Sequence, residues 1–172
     1  MWWIVNINRG EPASLAMVIC SFVLYSFVAP AFTVLQLPAP DLHPMLDFRQ
    51  FSYGVVGGAA LALWALAMTT SVVLVWRDRA LRPLLLVAGL WLLMNIVLHW
   101  YWQYRGSVYL YGTHTSFALY AVLAMGYACA LRRYPPAPVR AVAAGTLVLV
   151  AVNNLGLYAE MIDFLLRQPH PR

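Results

Sequence analysis

Two histidines hold the ligand and proton chemistry this chain offers. His99 sits near the end of an apolar run that also contains Trp91, Asn95 and Trp102, and His114 opens the next run after a short tyrosine-rich loop. Imidazole changes protonation near neutral pH and is a common ligand of haem iron and divalent metals, so two at similar depth form a candidate redox or proton-handling site. Three chemistries fit these residue types. Facing imidazoles can ligate a b-type haem axially. His99, His114 and a carboxylate such as Glu160 can hold a divalent metal. A quinone ring can lie among aromatic side chains while a histidine and a carboxylate take its protons; Glu160 and Asp163 are the candidate catalytic acids for that step.

Asn95 and His99 are four residues apart, which places them on one helical face with Trp91 and Trp102 and makes Asn95 the expected support of the imidazole. Below His114 the spacing of Ala118, Ala121, Met125 and Ala128 predicts a groove of small residues. A plainer reading competes. Trp100, Tyr101, Trp102, Tyr104, Tyr109 and Tyr111 have the composition of an interfacial aromatic belt, where a histidine simply meets lipid headgroups.

The elements that must position these groups are membrane spans. Of 172 residues 63% are hydrophobic and only 10% charged, with mean hydropathy +0.71, so a soluble domain is excluded. Apolar runs predict an all-α polytopic bundle of five transmembrane helices, about 15–37, 53–76, 84–102, 114–131 and 139–166, forming one domain over 1–172. Pro30 predicts a kink in the first span, tolerable where neighbouring side chains satisfy the freed carbonyl. Residues 1–14 read as an interfacial arm with no cleavable signal.

All cations are arginine. Three lie between the second and third spans (Arg77, Arg79, Arg82) and three after the fourth (Arg132, Arg133, Arg140), against Arg49 and Arg105 in the other two loops. That asymmetry predicts N-in, C-out topology and a bacterial-type inner-membrane location. His99, His114, Glu160 and Asp163 then share the outer side with Asp41, His43, Asp47 and Arg49. A nucleic-acid role is not expected from an arginine excess of this kind. Cys20 and Cys129 fall inside apolar runs and read as buried small hydrophobes.

Residues 114–125 resemble a metal-ligand helix of nitric-oxide-reductase-type haem-copper subunits, which implies a metal-ligating His114. In that family two histidines flank one residue; here Gly112 occupies the earlier position, and the chain is too short for that family's full set of spans. No nucleophile elbow, P-loop, H-E-x-x-H or dinucleotide fingerprint occurs.

Two functions are expected from these features. One is a subunit of a respiratory or electron-transfer complex with a haem- or quinone-type site. The other is a non-catalytic subunit that packs into a larger membrane assembly through Gly54, Gly58 and Ala62, whose four-residue spacing allows close helix approach. A small-solute carrier fits less well, because five spans without an internal repeat differ from inverted-repeat transporters.

Overall fold

The computed structural model describes residues 15–25, 27–31, 33–35, 45–47, 52–102 and 112–167. In lipid every backbone polar group must be satisfied within the protein, and the long apolar runs answer this by forming helices. Four of them are long and apolar enough to cross a membrane: α2 (Val55–Trp76), α3 (Arg82–Trp102), α4 (Gly112–Arg133) and α5 (Pro136–Arg167). Pro83, Pro136 and Pro138 all fall in a first helical turn, where the missing N–H has no partner to lose, so α3 and α5 begin earlier than expected.

The first helical element departs from expectation. α1 (Leu15–Cys20) continues as a π-helical segment, Ser21–Tyr25, and the helix ends there instead of reaching residue 37. Pro30 explains the stop, since its ring would collide with the carbonyl four residues back and donates no hydrogen bond. The N–H groups of Phe27 and Val28 fold back onto the Leu24 carbonyl at 3.0 and 2.8 Å and close the helix end. The chain then extends into β1 (Thr33–Leu35), which pairs antiparallel with β2 (Met45–Asp47), Thr33 opposite Asp47 and Leu35 opposite Met45. A small ribbon thus stands where the continuation of the first span was expected. Just before β1, the Ala31 N–H donates to the Ser52 carbonyl at 2.9 Å, near the start of α2.

α2 and α4 pack along each other at the centre. α5 lies chiefly against α2, whereas α3 lies against α4 and α1. Close approach of the central pair depends on Gly126, where any Cβ would collide with Ser71. Two apolar clusters stack along this axis: Phe27, Val28, Ala60, Trp64 and Leu119 toward one end, and Leu74, Val75, Leu85, Val122 and Cys129 toward the other. The buried seam of α4 is Thr115, Ala118, Leu119, Val122, Gly126 and Cys129; of the expected groove, Ala118 belongs to it and Ala128 is exposed. The outward faces of α3 and α5 carry Leu86, Val87, Leu90, Leu147, Val148 and Leu155, all exposed, a surface suited to acyl chains.

One end of the bundle gathers the arginines. Arg132, at the end of α4, bonds Asp78 in the α2–α3 turn at 3.1 Å, which places the α2–α3 and α4–α5 connections at the same end. Asp78 also accepts the Ala80 N–H at 3.0 Å, while Arg82 donates to the Trp76 carbonyl and stacks 5.1 Å above that indole. Partial desolvation pushes the Asp78 carboxyl up, but the N–H groups of Ala80 and Leu81, the Arg132 guanidinium and the Cys129 thiol together hold it below the usual carboxylate range.

Candidate functional site

Polar groups inside the bundle concentrate toward the end opposite the arginines, in two centres. The first is on α3. The face that meets α4 and α1 runs Leu85, Ala88, Leu92, Asn95, His99, each step three or four residues, so the helical period alone brings Asn95 and His99 inward. Both are buried, Asn95 5% exposed and His99 8%. Asn95 donates through Nδ2 to the Trp91 carbonyl at 2.8 Å, and its backbone carbonyl oxygen lies 2.7 Å from His99 Nδ1. A carbonyl oxygen cannot donate, so a bond of that length requires the proton on Nδ1. Phe22 of the π segment closes one side of the ring, edge to face at 5.0 Å, and packs with Val18 against Leu92 and Ile96.

His114 is the third residue of α4 and Trp102 the last of α3, so both are helical and border the α3–α4 connection. Their side chains lie outside the described residues, and so does the pairing of His99 with His114. His43, Asp41 and Arg49 lie outside them too. Glu160 and Asp163 are on the exposed last turns of α5, where Asp163 forms an ion pair with Arg167 at 2.8 Å. These carboxylates and His99 share an end of the bundle but stand on different flanks, α5 against α2 and α3 against α4. Among the described residues no three side chains of metal-ligating type come together.

The second centre is the broken backbone after the π segment, of which the sequence announced only Pro30. Asn154 of α5 accepts the Ala29 N–H at 3.0 Å and donates to the Phe27 carbonyl at 2.7 Å. Asn153 donates to the Ala29 carbonyl at 2.9 Å and to Asn154 Oδ1 at 3.1 Å. Tyr53 donates to the Val28 carbonyl at 3.0 Å, and Trp64 Nε1 to the Val23 carbonyl at 3.1 Å while its indole stacks on Phe27 at 4.0 Å. Five backbone groups in and after the π segment are thereby satisfied from Tyr53, α2 and α5. A discontinuous helix in a transporter leaves such carbonyls to coordinate ions; here they are engaged by protein donors, and the centre is a clasp.

Gly57 makes the clasp possible. A Cβ there would lie 2.5 Å from Asn153 Oδ1 and 3.0 Å from the Tyr53 ring, so only glycine lets α5 come close enough to reach the break. Gly54 and Gly58 have nothing within 4 Å of a Cβ position and Ala62 is exposed, so among the described residues nothing packs closely on the expected small-residue face.

No family profile, curated protein or solved structure matches the chain.

Proposed function

We propose that this chain is an integral subunit of a respiratory or electron-transfer complex in a bacterial-type inner membrane, N-in and C-out, with a haem- or quinone-type site on His99 and His114. The observation that carries the reading is the buried His99 with Nδ1 bonded to the Asn95 carbonyl. Ligating histidines characteristically donate their second N–H to a carbonyl or carboxylate, which fixes the ring and raises the basicity of the other nitrogen. In this reading His99 and His114 hold the group, Trp102 flanks it, and Asn95 positions the His99 ring. Glu160 and Asp163 exchange protons with water at the same end.

The test is the absorption spectrum and the extractable quinone content of the purified complex, repeated for His99→Ala and His114→Ala. A b-type haem spectrum or a stoichiometric quinone, lost in both variants, is expected. Absence of both groups from the wild-type complex, or their full retention in the variants, overturns the site. Orientation is read separately: reporter fusions in the Ala80 turn and at Arg172 should report opposite sides.

The second reading, a structural subunit that packs into a larger assembly, draws on the open face of Gly54, Gly58 and Ala62. Small residues that meet nothing among the described residues suit contact with another helix. Loss of assembly in Gly58→Leu with both histidine variants unaffected would favour this reading.

A further inference from the structure

We infer that the arginine end of the bundle is a binding surface for anionic phospholipid headgroups. Among the described residues six arginines, Arg77, Arg79, Arg82, Arg132, Arg133 and Arg140, share that end with one carboxylate, Asp78, an excess of five positive charges. The formal net charge of the whole chain is also +5, because the remaining five arginines are balanced by the remaining five carboxylates. The excess at this end thus equals the formal excess of the whole sequence.

The structure divides the six by role. Arg132 is held by Asp78, and Arg82 is folded over Trp76 with its Nε on the Trp76 carbonyl. Arg77, Arg79, Arg133 and Arg140 are exposed, and among the described residues none of them pairs with a carboxylate. Arg77 and Arg79 lie in the α2–α3 turn, Arg133 ends α4 and Arg140 is near the start of α5, so all four flank the junction that the Arg132–Asp78 bond ties together. Trp76 and Tyr134, 50% and 55% exposed, stand at the same level as a headgroup-depth aromatic pair. Every cation is a guanidinium, whose planar fork bonds phosphate oxygens in pairs, where an ammonium acts as a point charge. Exposed guanidiniums at a span's edge, with no internal counter-ion and with aromatic flanks, match the phosphodiester of an anionic lipid.

The experiment uses the full-length protein in detergent, titrated with phosphatidylglycerol or with phosphatidylcholine of the same acyl chains. Retained lipid is counted by native mass spectrometry and the thermal midpoint is followed. Phosphatidylglycerol should be retained preferentially and should raise the midpoint. Each exposed arginine contributes about a fivefold preference near an anionic surface. The Arg77→Gln, Arg79→Gln, Arg133→Gln, Arg140→Gln variant should lose the preference, and Arg167→Gln at the opposite end should keep it. If the fourfold variant does not fold, the wild type at 0.5 M salt replaces it, and there too the preference should collapse. Equal retention of the two lipids, an equal loss in Arg167→Gln, a salt-insensitive preference, or stabilisation by inorganic phosphate alone each overturns the inference.

Discussion

Asn154→Ala tests the clasp most directly. The substitution leaves the Ala29 N–H and the Phe27 carbonyl without partners and deprives Asn153 of its neighbour. Abandoning a buried polar group costs about 1–3 kcal/mol, and interhelical hydrogen bonds in membrane proteins average about 0.6 kcal/mol. Two stranded backbone groups in a non-helical segment, where no intrahelical bond can replace the lost one, place the total at about 2–4 kcal/mol. For a chain of this size that lowers the thermal midpoint by roughly 5–15 °C. Unfolding in mixed micelles, followed by tryptophan fluorescence, measures it, and Trp64 stacked on Phe27 reports the break itself. Val152→Ala, two residues away and exposed, is the control. The Asn153→Ala, Asn154→Ala double variant should cost less than the two single changes added together, because the pair share a bond. An Asn154→Ala effect within about 0.5 kcal/mol of zero would refute the reasoning, since it would mean that water already serves these groups.

Gly57→Ala should destabilise the fold by about 1–3 kcal/mol by displacing Asn153, whereas Gly58→Ala should be neutral or stabilise slightly through reduced unfolded-state freedom, both read from the same unfolding curves. Asp78 supplies a pH dependence. Its folded pKa is depressed, so its contribution is fully present above the ordinary carboxylate range and is lost as pH falls below about 4 and through the folded value. Thermal midpoints measured from pH 3 to 7 should show the wild type falling toward Asp78→Asn at the acid end, and parallel curves would exclude the effect.

The spans were legible because hydropathy over about 20 residues is a strong signal, and α2 to α5 fall within a few residues of the expected limits. The inward turn of Asn95 and His99 was legible as well, since their four-residue spacing allows one helical face. The end of the first helix was not. Pro30 announced a disturbance, but its size depended on Tyr53, Trp64, Asn153 and Asn154, which lie far off in sequence and are ordinary residues in their own runs. The glycines misled for a related reason. α2 is apolar on all sides, so nothing in its hydropathy says which face turns inward. The Gly54–Gly58 spacing stood out, while Gly57 and Gly126 provide the close approaches.

The clasp also fixes an order of events during synthesis. Asn153 and Asn154 are separated by 124 to 127 residues from the backbone groups they hold. At about 5–20 residues per second, roughly 6–25 s pass between translation of the break and translation of its partners. During that interval the first helix can enter the membrane, but its bent end has no complete set of hydrogen bonds. α5 thus settles the end of α1 long after α1 is made. A nascent chain stopped anywhere before Asn153 therefore holds backbone groups at residues 27–29 that still await their partners.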